Sequence, residues 1–189
     1  MKTPPPELAN RLREASPKIL RLGADPNFDE VSEETGIARA TLYYYFSGRD
    51  DLYAFLLNSH LEEGAAVFAS IEDESPVEQL RRVLEAMVEF LASRPGVCAG
   101  LLSALGSATK MDEVMRANER IVASPIRRIL DRGKGEGAFT FDDAHDTANA
   151  FSGAILSAVL GRAIEDRPLD QPDFPRQLAD QLVSGIASR

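Results

Sequence analysis

Asn27 to Leu52, NFDEVSEETGIARATLYYYFSGRDDL, constrains the fold more than any other stretch, because two short helical patterns flank a single glycine. A first helix over about Phe28 to Thr35 is capped by Asn27 and carries Asp29 and Glu30 where the helix dipole favours acids. Gly36 supplies the left-handed residue that ends it. A second helix over about Arg39 to Phe46 buries Leu42 and Phe46, one turn apart, and leaves Arg39, Ala40, Thr41, Tyr43, Tyr44 and Tyr45 on its other faces. The pair reads as a helix-turn-helix. A helical hairpin in a plain bundle shares that spacing, so the choice rests on the second helix. Tyr43-Tyr44-Tyr45 beside Arg39 and Thr41 are hard to place in a core and suit contacts to phosphates and base edges.

At these residues the chain resembles the TetR family of transcriptional regulators. The family's signature appears here as Phe28-Asp29-Glu30-Val31, Thr35-Gly36-Ile37, Thr41-Leu42-Tyr43, Phe46 and Arg49. The resemblance implies an all-α fold, with a helix-turn-helix DNA-binding head at residues 1–48 and a helical ligand-binding and dimerisation body at 49–189. It implies that Thr41, Tyr43 and Arg49 position phosphates, that Arg39, Ala40 and Tyr44 face bases, and that Tyr45 does either. It also implies three partners: double-stranded operator DNA, a second copy of the chain, and a small apolar or amphipathic ligand that releases a repressor from a palindromic operator. Two features depart from the pattern. Ala38 stands where a small hydroxyl residue usually caps the second helix, and Ser16-Pro17 interrupts the first helix of the chain, where a kink or restart is expected.

The remaining patterns are helical. Leu8, Leu12, Ala15, Ile19 and Leu22 continue in phase across Pro17, and Gly23 with Asp25-Pro26 marks the end of that helix. A fourth helix runs from about Arg49 to Ile71. Ser75-Pro76-Val77-Glu78 is a capping box opening a fifth, with Leu80, Val83, Leu84, Met87, Phe90 and Leu91 on one stripe, stopped at Arg94-Pro95-Gly96. A sixth holds Val97, Leu101, Leu102 and Leu105; a seventh, about Met111 to Gly133, kinks at Pro125; an eighth spans about Asp142 to Glu165; a ninth carries Phe174, Leu178, Leu182 and Ile186. No segment alternates as a strand, so the pattern independently reads all-α.

Composition narrows the function. The net charge of −9 argues against a surface that binds nucleic acid everywhere, yet Arg11, Arg13, Lys18, Arg21, Arg39 and Arg49 cluster early, and most of the excess acid follows residue 60. The lone Cys98 excludes an internal disulfide framework, and no apolar run reaches the ~18 residues of a membrane span, which makes a cytoplasmic protein the expectation. Gly133 to Gly137 lacks the Lys-Ser/Thr ending of a phosphate loop. His60 and His145 have no partner at metal spacing and read as surface or capping residues; Asp142, Asp143 and Asp146 read as helix-start acids. No metal, cofactor or catalytic group is expected, hence no enzyme.

Met87, Phe90, Leu91, Cys98, Leu101, Leu102, Leu105, Met111 and Met115 form the apolar material of the middle helices, read either as plain core or, by the resemblance, as the wall of a ligand pocket. Gly153, Ser157 and Gly161 leave a groove along the eighth helix, and with Phe174, Leu178 and Leu182 they are the expected dimer interface. The rival reading is a helical ligand- or partner-binding protein that retains the fold and has lost DNA binding. Ala38, the acidic charge and Pro17 favour it.

Overall fold

The computed structural model describes residues 3–20, 27–105 and 116–188, with side chains undescribed at 102–105. Its helices are α1 Pro6–Ile19, α2 Phe28–Thr35, α3 Arg39–Tyr45, α4 Arg49–Ala69, α5 Pro76–Ala92, α6 Pro95–Leu105, α7 Ser124–Gly135, α8 Ala144–Ile164 and α9 Phe174–Ser184. The fold is all-α, as the periodicities required. The expected end of α1 at Gly23 and the expected start of the seventh helix at Met111 lie outside the described residues.

α1 remains helical through Pro17 because a side chain replaces the missing donor. Proline has no N–H for the carbonyl of Arg13, and Ser16 Oγ–H donates to that carbonyl at 2.6 Å instead. The head is then closed by one apolar cluster: Leu12 and Ile19 from α1, Phe28 and Val31 from α2, Ile37 from the turn, and Leu42 and Phe46 from α3. Leu52, Leu56 and Leu57 of α4 join this cluster, as does Val97 of α6. The first turns of α4 therefore serve the head, and its later residues Leu61 and Phe68 serve the body.

In the body, α5 buries Leu80, Val83, Leu84, Met87 and Val88 against α7, α8 and α9. The capping box at its start is half made. Ser75 Oγ accepts from Glu78 N at 3.3 Å, but Ser75 N–H goes to Asp73 at 3.0 Å and the Glu78 carboxylate pairs with Arg81. The expected kink at Pro125 takes the form of a π turn, Glu119–Ala123, running directly into α7. The wider turn is a reasonable accommodation of proline, which removes the donor for the Ile121 carbonyl and crowds it.

Candidate nucleic-acid interface and buried pocket

The α2–turn–α3 unit is fixed by local chemistry at each joint. Asn27 Oδ1 accepts from Asp29 N at 2.8 Å and Glu30 N at 3.1 Å, while the Glu30 carboxylate accepts from Asn27 N at 2.8 Å, a complete capping box. Gly36 ends α2 at φ 64°, and a Cβ there would stand 3.0 Å from Arg11 Nη2, which itself donates to the Thr35 carbonyl. α3 starts at Ala38 with no side-chain cap; the Ala38 carbonyl accepts from Thr41 N at 2.8 Å and Leu42 N at 3.2 Å.

α3 presents a polar aromatic face. Tyr43 and Tyr44 are 52% and 60% exposed, Arg39, Ala40 and Arg49 are exposed, and Thr41 and Tyr45 are half-buried. Leu42 and Phe46 are fully buried. Tyr43 lies against Phe28 with ring centroids 4.7 Å apart, and Tyr44 meets Tyr45 edge-on at 5.0 Å. Arg39 is engaged rather than extended: Nη1 donates to Asp29 Oδ1 at 2.7 Å, and its guanidinium lies 5.4 Å from the centre of the Tyr43 ring. The Tyr43 hydroxyl and then Asp29 raise its pKa above the ordinary value. Lys18 similarly pairs with Glu34. Two α2 acids are thus neutralised on this side of the head.

Below the head lies a cavity of about 310 Å³, at the lower end of the ~300–1,000 Å³ typical of small-molecule sites. α4 contributes His60, Leu61, Gly64 and Phe68 to its wall; Met87, Phe90 and Leu91 come from α5 and Val97 and Leu101 from α6. Asn118 and Val122 line it beside the π turn, and α8 adds Asn149, Ser152, Gly153 and Leu156. Among the described lining residues none is an acid, a lysine or an arginine. Of the expected pocket residues, Met87, Phe90, Leu91 and Leu101 are in the wall. Cys98 is not: it is fully buried in the body core, and burial pushes its thiol up to about 12, leaving it protonated and unreactive. The side chains of Leu102 and Leu105, and all of Met111 and Met115, lie outside the described residues.

His60 corrects the surface expectation. Its residue is 7% exposed, and Nε2 lies 2.7 Å from Ser16 Oγ. Ser16 uses its proton on Arg13, so the ring must donate Nε2–H to it, leaving Nδ1 without a proton in the neutral form. Nδ1 is buried without a hydrogen-bond partner, 3.5 Å from Glu63 Oε2, and Glu63 pairs with Arg94 at 2.7 Å. Burial, followed by the charge of Arg94, holds the ring below its ordinary pKa of 6.5 against the opposing pull of Glu63. Sequence spacing gave no sign of this, because Ser16 and His60 are 44 residues apart.

The groove on α8 faces outward. Gly153 and Ser157 are exposed, and nothing lies within 4 Å of a Cβ built on Gly153 or Gly161. On α9, Leu178 and Leu182 are half-buried, whereas Phe174 is buried in its own chain with Arg162 stacked 3.9 Å over its ring. Phe174 is therefore an internal residue with little side chain left to offer a partner.

Residues 73–159 match the family model described as tetracyclin repressor-like, C-terminal domain. An HTH-type transcriptional regulator of Mycobacterium tuberculosis is 22% identical over 168 residues, spanning 87% of this chain and 67% of its own. Among solved structures, the fatty acid degradation regulator FadR of Bacillus halodurans aligns with a TM-score of 0.79 at 19% identity, over 96% of this chain and 97% of its own. FadR of Bacillus subtilis, solved in complex with stearoyl-CoA, aligns at 0.75 with 17% identity, over 94% and 98%. At these identities the structural likeness speaks for the fold.

Proposed function

We propose that the chain is a TetR-family transcriptional regulator, its residues 73–159 matching the family's C-terminal domain behind a helix-turn-helix head, and that it acts as a homodimeric repressor released from a palindromic operator by a small, largely apolar ligand. α3 enters the major groove. Arg39, Ala40 and Tyr44 face bases, Thr41, Tyr43 and Arg49 hold phosphates, and Tyr45 supports either. Arg39 exchanges Asp29 for DNA on binding. The dimer forms across the outward groove of Gly153, Ser157 and Gly161, with Leu178 and Leu182 of α9 beside it.

The observation that carries the reading is a shared wall. Val97 lines the cavity and belongs to the head's apolar cluster, and Leu91 and Leu101 line the cavity while packing against both clusters. A ligand that displaces these residues repacks the support of α4, whose Leu57 meets α6 so closely that a Cβ on Gly100 would lie 2.9 Å from it. DNA and ligand then favour different arrangements, and each lowers the other's affinity by the same factor. The likeness to FadR supports a fatty acyl thioester, with its acyl chain in the cavity.

Selection of genomic fragments by the purified protein, followed by anisotropy titration with decanoyl-CoA, tests the proposal. A two-fold-symmetric consensus that the thioester releases is the expected result. Absence of any consensus would favour the rival, a fold-retaining binding protein without DNA recognition.

A further inference from the structure

The cavity ends on an aromatic pair. α4 meets its wall at His60, Leu61, Gly64 and Phe68, in that order away from the head, and α5 reaches it no deeper than Met87, beyond which Leu80, Val83 and Leu84 are buried in the body core. The chain turns back between the two helices, so Phe90 comes level with Gly64, and the Phe68 side chain leans over the turn that precedes it. The two rings meet edge to face, with centroids 6.0 Å apart and planes at 81°. Gly64 admits them: a Cβ there would stand 3.2 Å from Phe68 Cε2 and 3.4 Å from Phe90 Cε1. Phe90 is also pinned by Arg94, whose guanidinium lies 4.1 Å from the ring centre while its Nη2 donates to Glu63 at 2.7 Å. Leu61, Gly64, Phe68, Met87 and Phe90 bring no side-chain nitrogen or oxygen to this end of the wall.

We infer that Phe68, seated over Gly64 and braced by Phe90, is the residue that sets the length of the acyl chain: the terminal methyl stops against its ring, and the cavity selects a medium chain of about ten carbons. The inference rests on the cavity being the acyl site, and it goes beyond that by naming the residue that closes the site and the chain it selects. The length follows from volume. A methylene takes about the same 30 Å³ as a water molecule in the liquid, so a cavity of about 310 Å³ is filled by about ten of them. Carbons inside it gain burial, whereas a longer chain has to displace packed rings or leave its surplus in water.

The test is calorimetric titration of the full chain, without DNA, with hexanoyl-, octanoyl-, decanoyl-, dodecanoyl- and tetradecanoyl-CoA. Wild-type affinity is expected to rise about fourfold per added carbon, the worth of a buried methylene, and to stop rising near decanoyl-CoA. Phe68→Ala removes the stop and should carry the rise at least as far as dodecanoyl-CoA. Gly64→Ala keeps the helix, which alanine favours, and its methyl crowds the rings at the end of the cavity, so the rise should end earlier, near octanoyl-CoA. A rise that runs unbroken to tetradecanoyl-CoA in wild type, or a break that stays at its wild-type length in either folded variant, overturns the inference. If Phe68→Ala does not fold, the wild-type break and its shortening in Gly64→Ala decide the matter. Binding of no thioester at all overturns the acyl reading together with this inference, whereas a missing or unmoved break overturns this inference alone.

Discussion

Removing the Ser16 hydroxyl tests how the head is held to α4. Ser16→Ala leaves two groups without partners: the Arg13 carbonyl, already deprived of a donor by Pro17, and His60 Nε2–H. Ser16 is fully buried, so water does not replace the hydroxyl at the His60 end. At ~1–3 kcal/mol for each buried orphan, with the partly buried Arg13 contact at the low end, the loss is about 2 to 4 kcal/mol. That is a sizeable share of a typical ~5–15 kcal/mol stability. At about 2–4 °C per kcal/mol for a chain of this size, Tm should drop by roughly 4 to 16 °C. Urea unfolding followed by circular dichroism gives the free energy directly. The reasoning has a sharper form in a double-mutant cycle. Pro17→Ala restores a backbone N–H for Arg13, so it should be worth about 0.5–1.5 kcal/mol more in the Ser16→Ala background than in wild type. A Ser16→Ala loss under ~0.5 kcal/mol, the size of an ordinary surface change, would refute the account. Equal effects of Pro17→Ala in both backgrounds would refute the substitution of hydroxyl for amide.

Three other outcomes follow from the same geometry. Arg39→Ala should weaken operator binding and relax the base preference at one position per half-site, read by repeating the fragment selection; an unchanged consensus would remove Arg39 from the base-reading set. Ser157→Arg, placed on the outward groove of α8, should give a folded monomer by light scattering, with palindrome binding reduced far more than half-site binding; a persisting dimer would move the interface elsewhere. Stability should also fall with acid at His60: its folded pKa is held below 6.5, so its contribution is whole above the unfolded value near 6.5 and is lost as pH drops through the folded one. Melts from about pH 7.5 to 5.5 should show a shallower loss in His60→Gln than in wild type, and identical slopes would contradict this.

The head was legible because its instructions are local. Asn27 and Gly36 act within four residues of the backbone they cap and take the expected roles, while Glu30, expected only as a first-turn acid, also closes the capping box. The pocket was half legible. Met87, Phe90, Leu91 and Leu101 announced themselves as surplus apolar material, but Asn149 and Ser152 carry no apolar signal and enter the wall only through the packing of α8 across α5 and α6. Phe174 was misplaced for a related reason. The stripe Phe174, Leu178, Leu182 and Ile186 is real, yet the face α9 buries is Phe174, Pro175, Ala179 and Val183, turned by part of a helical step. An alanine carries too little hydrophobic signal to reveal that rotation.

The π turn at Glu119–Ala123 gives the cavity a second means of diversification. Its i→i+5 bond, Ser124 N to Glu119 O, encloses one more residue than an α turn does. Asn118 and Val122 flank or occupy that turn and face the cavity. Removing one residue there would let the segment close into ordinary α-helix and rotate Asn118 and the start of the turn by about 100° relative to α7. Asn118 would leave the wall and another side chain would enter it, while the rest of the bundle kept its register. Ligand choice in such a scaffold can thus change through a single-codon deletion or insertion, a step in chain length that comparisons restricted to substitutions would overlook.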